Sequence, residues 1–188
     1  MNIVLLGCPG AGKGTQAAVL CEKYGLAHIS TGELFRSEIA SKSPLGLKVE
    51  GFVNKGNLVP DEVVVEIVAG KLESLESGWL LDGFPRTLRQ AEELDRYLAT
   101  SGKRIDFVLL LSVSEEVVIK RLAGRGREDD SDATVRKRLM VFRDLTQPLA
   151  AYYRGHGLLQ EFDGAPSEDQ VSSALTVFLE ESAAKSGS

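Results

Sequence analysis

The chain has 188 residues, of which 43% are hydrophobic, and a formal net charge of −5. These values fit one globular domain with a sizeable core, and the negative charge argues against a general nucleic-acid or membrane-surface binder. The two cysteines, Cys8 and Cys21, form neither a C-x-x-C motif nor the pattern of a secreted disulfide scaffold. Because the sequence shows no signal-peptide layout and no apolar run of membrane length, we expect a cytoplasmic protein.

Short apolar runs alternate along the chain with longer stretches of helical periodicity. The predicted strands are residues 3–6, 27–29, 79–81, 107–111 and 158–162. The helical patterns between and after them include residues 15–24, 88–100, 114–122 and 133–153. Continuous apolar strands separated by helices predict an α/β fold with a doubly wound, parallel five-stranded sheet, and ligands then bind at the carboxyl ends of the strands.

Two regions interrupt this alternation. The region from residue 31 to about residue 71 contains three helical patterns, at 32–40, 44–54 and 60–72, and no strand. A segment of that length is too long for a plain crossover and predicts a helical insertion. Residues 124–132 are crowded with charged side chains and form either a solvated turn or a charged flap over a site. The polar tail from Ser182 is expected to fray.

The first predicted strand leads directly into a phosphate-binding loop, GCPGAGKGTQ at residues 7–16. It matches G-x-x-x-x-G-K-[ST] except that Gly14 separates Lys13 from Thr15. In such a loop the glycines let backbone N–H groups turn toward an anion, and the start of the next helix adds positive potential. Lys13 can reach the outer phosphates and the Thr15 hydroxyl can face Mg²⁺. The loop therefore predicts binding of a nucleoside triphosphate.

Two hydrolytic classes lack their usual signals in this sequence. A GTPase would show Asn-Lys-x-Asp, and the nearest match, residues 54–57, ends in Asn57. A motor or transporter ATPase would place an acid after the aspartate of a second strand, but Asp82 is followed by Gly83, Phe84, Pro85 and Arg86. Phosphoryl transfer to an acceptor other than water is therefore the better interpretation.

The chain resembles adenylate kinase in three motifs, GCPGAGKGT at 7–15, STGELFR at 30–36 and DGFPRT at 82–87. The resemblance continues at Arg121 and in residues 124–130, 136–138 and 163–164, so it covers nearly the whole chain in the family's order. It implies the reaction ATP + AMP ⇌ 2 ADP with Mg²⁺, carried out by a monomer with the P-loop NTPase type of sheet. It also implies one domain over residues 1–188, with an AMP-binding insertion at about 30–59 and a short lid at about 124–130.

Two departures from the family pattern stand out. Cys8 replaces another small residue in the phosphate loop; because the loop binds through its backbone, we expect no loss of function. The lid is short and lacks a four-cysteine site, so no structural zinc is expected. The two histidines, His28 and His156, have no metal-ligating neighbours in the sequence, and we expect them to be structural.

The resemblance also implies the residues of the two nucleotide sites. The ATP site is expected to comprise Gly10, Ala11, Gly12, Lys13, Gly14, Thr15, Arg121, Arg125 and Pro166. The AMP site is expected to comprise Thr31, Arg36, Asn57, Leu58, Val59, Gly83, Phe84, Pro85, Arg86, Gln90, Arg127 and Arg138. The catalytic residues are expected to be Lys13, Arg86, Arg121, Arg125, Arg127 and Arg138. Thr15 and Asp82 are expected at Mg²⁺, through water.

These residue types suit the implied chemistry. Joining two nucleotides brings several negative charges together, and the transferred group passes through a state of spread charge. Planar guanidinium forks match phosphate oxygens well, and the AMP phosphate is already an anion, so a general base is dispensable. The Gln90 amide can both donate and accept, which matches the N6 amino group and N1 of adenine.

Two alternatives remain at the level of sequence. UMP/CMP kinase shares the loop and the GFPR motif but usually has alanine where this chain has Thr31 and asparagine where it has Thr87. The other alternative is an ATP-dependent regulatory protein that uses the loop as a switch. The arginines spread over several segments argue against it, because a switch needs no second anion site.

Overall fold

A computed structural model describes residues 1–124 and 131–186 of the chain. Parallel strands form one sheet, and they are β1 (Asn2–Gly7), β2 (Ala27–Ser30), β3 (Trp79–Asp82), β4 (Phe107–Ser112) and β5 (Leu159–Asp163). Their order across the sheet is β2-β3-β1-β4-β5. This arrangement confirms the predicted fold class, an α/β protein with a five-stranded parallel sheet.

Helices occupy the stretches between and after the strands. In chain order they are α1 (Lys13–Tyr24), α2 (Thr31–Ala40), α3 (Pro44–Asn54), α4 (Asp61–Glu73), α5 (Leu88–Thr100), α6 (Glu115–Ala123), α7 (Asp132–Val141), α8 (Pro148–Gly155) and α9 (Glu168–Ser186). Three of them, α2, α3 and α4, follow one another between β2 and β3. None of the described helices is both long enough and apolar enough to span a membrane.

The sheet separates two hydrophobic cores, and β1 contributes to both of them. Val4 and Leu6 pack into a first core with side chains from α2 to α5 and α8. Ile3 and Leu5 pack into a second core with side chains from α1, α6, α7 and α9. Because side chains alternate along a strand, a strand buried on both faces has to be apolar at every position, which explains the uninterrupted run in β1.

The helical pattern predicted over residues 133–153 contains one irregular turn. A π-helical turn, Phe142–Thr146, separates α7 from α8. Pro148 at the start of α8 has no N–H to continue the α-helical hydrogen bonds. The preceding N–H, that of Gln147, donates to Phe142 O at 2.8 Å, which is the five-residue hydrogen bond of a π-helix. The extra residue in this turn changes which side chains point toward the sheet.

The C-terminal helix α9 was not predicted. It buries Val171, Leu175 and Leu179 in the second core, a spacing of four residues that is typical of one helix face. The polar tail that was expected to fray from Ser182 continues this helix to Ser186. The apolar spacing was present in the sequence and could have revealed the helix.

Candidate active site

A cavity of about 1050 Å³ opens where β1, β2, β3 and β5 end. Its walls are drawn from segments that follow these strand ends, within residues 9–16, 30–36, 82–90 and 164–168, and from residues within 53–59, 117–124 and 138–146. Ligands of open α/β sheets bind at the carboxyl edge of the strands. The cavity is therefore the candidate active site.

The phosphate loop forms the floor of the cavity between β1 and α1. Gly10 and Gly12 have φ values of 84° and 93°, a region that side-chain-bearing residues rarely adopt. Helix α1 begins at Lys13, so its first N–H groups point toward the cavity and favour an anion. Lys13 Nζ donates to the carbonyl oxygens of Gly7 at 2.8 Å and Cys8 at 3.0 Å, which holds the ammonium group over the loop.

Two oxygen-bearing side chains lie beside this loop. Thr15 is exposed to the cavity in the first turn of α1, and Asp82 ends β3 with 8% of its surface exposed. A Cβ atom at Gly14 would lie 3.9 Å from Asp82 Oδ2, so the carboxylate faces the start of α1. Mg²⁺ prefers hydroxyl, carboxylate and water oxygens, and this donor set fits that ion.

The charge of Asp82 is favoured by its neighbours. Burial alone would raise the pKa of the Asp82 carboxyl, but interaction with His28 and the charges of Lys13 and Arg86 outweigh burial and lower it. His28 Nε2 lies 3.9 Å from Asp82 Oδ2, and this carboxylate raises the pKa of His28 against the effect of burial. His28 was expected to be only structural, and its place beside a candidate magnesium ligand was missed.

Three arginines from distant segments converge on the other side of the cavity. Arg86 follows β3 and donates from Nε to Gly83 O at 2.7 Å. Burial, together with the positive charges of Arg138 on α7 and Arg36 on α2, lowers the pKa of Arg86, against the attraction of Asp82. Guanidinium groups suit the oxygens of a phosphate group, so this cluster is a candidate site for a second phosphate group.

Gly83 lets these groups approach closely. Its φ of 82° is accessible to glycine, and a Cβ atom there would lie 2.9 Å from both Arg86 Nη2 and Thr31 Oγ1. Thr31 Oγ1 also donates to Gly83 O at 2.9 Å. The GFPR motif thus provides the cationic side chain of Arg86, and its glycine leaves room for Thr31, the first residue of α2.

The Gln90 side chain lines the cavity with 1% of its surface exposed. Its Oε1 accepts from the Arg86 backbone N–H at 2.7 Å, and its Nε2 donates to Asp61 Oδ1 at 2.7 Å. A primary amide offers two N–H donors and two acceptor positions. One donor and one acceptor are therefore left for a ligand in the cavity.

Residues 57–59 complete this side of the cavity. Asn57, Leu58 and Val59 follow α3 and line the wall with Pro85. The resemblance implies Phe84 in the AMP site, and the Phe84 side chain packs into the first core with 1% of its surface exposed. Its side chain supports the wall from behind.

Arg121 on α6 joins the cavity to the loop after β5. Its Nη1 donates to Gly164 O at 2.8 Å, and its Nη2 donates to Ala165 O at 3.0 Å and Pro166 O at 3.4 Å. The resemblance implies that Arg121 and Pro166 belong to one nucleotide site. They do line the same cavity, and the guanidinium also fixes the loop that forms its rim.

Two predicted site residues, Arg125 and Arg127, lie outside the described residues, as does most of the predicted lid. Two other residues were missed. Thr146 in the π-helical turn lines the cavity and donates from Oγ1 to Arg86 O at 2.9 Å, and Asp61 binds the Gln90 amide. No sequence signal marks a π-helical turn, whereas the acid after Pro60 was visible as a helix start.

The chain offers no candidate for a structural metal cluster within residues 1–124 and 131–186. No group of three or more His, Cys, Asp or Glu side chains in this part is placed to hold a metal ion. Both cysteines are free thiols.

The family model described as adenylate kinase matches residues 5–158 of the chain. The adenylate kinase of Prochlorococcus marinus (strain NATL2A) is 46% identical over 174 residues, which cover 93% of this chain and 96% of the relative. That of Synechococcus sp. (strain CC9311) is 47% identical over 175 residues, with 93% and 96% covered. That of Clostridium tetani (strain Massachusetts / E88) is 41% identical over 204 residues, with 91% and 94% covered. The chain belongs to the adenylate kinase family.

Proposed function

We propose that the chain transfers the terminal phosphoryl group of ATP to AMP, reversibly, and so interconverts adenine nucleotides. The family membership supports this phosphotransferase activity. The observation that carries the proposal is the convergence of Arg36, Arg86 and Arg138 across the cavity from the phosphate loop. One cavity with two separate cationic regions suits a reaction that joins two phosphate-bearing substrates.

In the proposed mechanism the triphosphate lies along the loop. Gly10 to Thr15 donate backbone N–H groups, and Lys13 exchanges its carbonyl partners for the outer phosphates, which carry full negative charge. Arg121, with Arg125, lies by the ATP base and phosphates near Pro166. Thr15 and Asp82 would hold Mg²⁺ through water, and the bound ion would neutralise charge on the outer phosphates.

The AMP phosphate is placed against the arginine cluster. Arg36, Arg86 and Arg138, joined by Arg127, orient its oxygens toward the phosphoryl group and disperse the charge of the transition state. Because that phosphate is already ionised, this chain needs only to position it and exclude water. Thr31, residues 57–59 and Gln90 enclose the adenine.

The proposal includes the predicted division of the chain. Residues of about 30–59 form the AMP-binding insertion and residues of about 124–130 form the short lid, both attached to one core over residues 1–188. We propose that the chain acts as a cytoplasmic monomer on ATP, AMP and ADP, without nucleic-acid or membrane partners. The net negative charge and the free thiols support this environment.

A coupled assay with ATP and each of AMP, CMP, UMP and GMP tests the proposal. We expect turnover with AMP to exceed turnover with the pyrimidine nucleotides by at least about a hundredfold, because the site hydrogen-bonds the base. A preference for CMP or UMP would favour the UMP/CMP kinase alternative. Tight ATP binding without acceptor-dependent turnover would favour the regulatory alternative and contradict an enzyme.

A further inference from the structure

The carboxylate of Asp61 links the first turn of α4 to the first turn of α5. Its Oδ1 accepts from Gln90 Nε2 at 2.7 Å, and its Oδ2 accepts from Thr87 Oγ1 at 3.0 Å. Thr87 Oγ1 in turn accepts from the Gln90 backbone N–H at 3.1 Å. The carboxylate therefore binds the side chains of both Thr87 and Gln90, which begin and end the first turn of α5.

These contacts leave the Gln90 amide one orientation. The carboxylate can only accept and the Arg86 backbone N–H can only donate, so Nε2 has to face Asp61 and Oε1 has to face Arg86. Rotating the amide by half a turn would place two donors together at Arg86 and two acceptors together at Asp61. Gln90 is almost fully buried, so water cannot relieve those mismatches, and each unpaired group is costly.

The orientation decides which purine the remaining groups can bind. The free Nε2 hydrogen and the free Oε1 lone pair match adenine, which accepts at N1 and donates from its N6 amino group. A 6-oxopurine has the reverse order, because it donates from N1 and accepts at O6. Only a rotated amide could bind a 6-oxopurine in the same pose.

We propose that Asp61 is a positioning residue that sets the choice between 6-aminopurine and 6-oxopurine nucleotides, by fixing the orientation of the Gln90 amide. The inference rests on the proposed function, because it concerns the base of the acceptor nucleotide. It assigns Asp61 a role through Gln90 and requires no contact of its own with the substrate.

A purely structural role for Asp61 is the rival interpretation. An acid in the first turn of a helix stabilises that helix through its dipole, and Asp61 also anchors Thr87, which caps α5. A structural role would lower turnover of all acceptors together. A positioning role changes the ratio between acceptors.

Asp61→Asn tests this difference with little change of shape. The new amide can present either an oxygen or an N–H group to Gln90, so rotation of Gln90 leaves a mismatch only at Arg86 instead of at both ends. With ATP saturating, we expect the ratio of kcat/KM for AMP to kcat/KM for IMP to fall by at least about tenfold. Most of the change should come from a gain with IMP, and the KM for ATP should stay unchanged.

Glu62→Gln is the matched control. It makes the same carboxylate-to-amide change one residue later, in a side chain that is 64% exposed and pairs with Arg89 at 2.8 Å. We expect its AMP to IMP ratio to equal that of the unmodified chain. An unchanged ratio in Asp61→Asn, or an equal change in both variants, would overturn the role of Asp61.

A measurement on the unmodified chain keeps the inference testable if Asp61→Asn does not fold. In a proton–nitrogen correlation spectrum, the Gln90 side-chain amide can be assigned by its disappearance in Gln90→Leu. Before ligand is added, we expect the proton bound by Asp61 to have a displaced chemical shift and to exchange slowly with solvent. AMP should change mainly the chemical shift of the other proton. Fast exchange of both protons, or an equal shift of both with AMP, would overturn the inference.

The two proposals fail in different ways. If the unmodified chain shows no AMP-dependent turnover, the proposed function fails and the inference about Asp61 fails with it. If AMP turnover is present but the ratio and the spectrum do not respond as expected, only the role of Asp61 fails.

Discussion

The two sides of the cavity are built differently. The side that holds the phosphate loop is one continuous segment, residues 7–15, in which the glycine conformations and the start of α1 present backbone N–H groups to the cavity. The opposite side assembles the side chains of Arg36, Arg86, Gln90 and Arg138 from separate segments. The first side depends on local backbone conformation, whereas the second depends on the sheet bringing distant residues together.

This difference leads to a rule about substitutions. Side chains of the phosphate loop should be replaceable when the backbone is unaffected, with Lys13 as the exception because its charge is used directly. Side chains of the arginine side should be sensitive even to conservative changes.

Removal of divalent cations should have the largest effect and stop phosphoryl transfer. Thr15 and Asp82 offer oxygen ligands beside the loop, and the outer phosphates need their charge neutralised. Activity should return when Mg²⁺ is added to the chelated protein. A zinc-selective chelator should change neither activity nor the thermal midpoint, and one equivalent of zinc in the purified protein would contradict the short-lid interpretation.

Lys13→Met should leave the fold intact and lower kcat on the order of 10³-fold, because a positioned charge that stabilises the transition state is lost. Circular dichroism provides the folding control. Retention of activity within about tenfold of the unmodified chain, which corresponds to ~1.4 kcal/mol, would show that the loop works through its backbone alone.

Arg138→Lys keeps the charge of the arginine side but loses the planar fork. We expect kcat/KM for AMP to fall by about tenfold to a hundredfold, because a lysine cannot replace two parallel hydrogen bonds to a phosphate. Arg136→Lys is the control, since Arg136 is exposed on the same helix and does not line the cavity. Equal effects of the two changes would indicate a general loss of helix stability.

Gln90→Leu removes the amide and roughly keeps its volume. We expect AMP to lose about 1–3 kcal/mol of transition-state binding, measured from kcat/KM, because buried polar partners are left unpaired. The KM for ATP should hardly change. If the variant weakened ATP and spared AMP, the two nucleotides would have been assigned to the wrong sides of the cavity.

Cys8→Ala should have the smallest effect on activity, within about twofold, although it changes the phosphate loop itself. The Cys8 side chain is 7% exposed and packs into the second core, and only its backbone carbonyl contacts Lys13. Loss of the Cys8 thiol should therefore lower the free energy of unfolding by about 1 kcal/mol, the usual scale for deleting a buried group. A large loss of turnover in a fully folded variant would contradict the contrast.

The phosphate loop and the strands could be predicted because their signals are local. Glycines at fixed spacing determine the loop, and the uninterrupted apolar runs in β1 and β3 are typical of strands that are buried on both faces. The family resemblance supplied the candidate arginines, and the described ones line the cavity. A motif does not state which way each side chain points, and the Phe84 side chain of the GFPR motif points into the first core.

The remaining features depend on contacts between distant parts of the chain. Asp61 and Gln90 are 29 residues apart in sequence, and nothing in either segment shows that they meet. The side chain of Thr146 donates to Arg86 O, 60 residues away, and reaches it through a π-helical turn that has no sequence signature. His28 acquires its neighbour Asp82 because β2 and β3 pair in parallel, with Ser30 opposite Asp82.

The alternation of β1 between two cores has a mechanical consequence. Substituting Val4 would loosen the compartment that contains Phe35, Val59 and Val64, next to the arginine side of the cavity. Substituting Ile3 would loosen the compartment behind α1, next to the phosphate loop. Adjacent residues of β1 thus pack behind opposite sides of the cavity. A substitution at one of them could make one side more flexible while the packing behind the other side is kept.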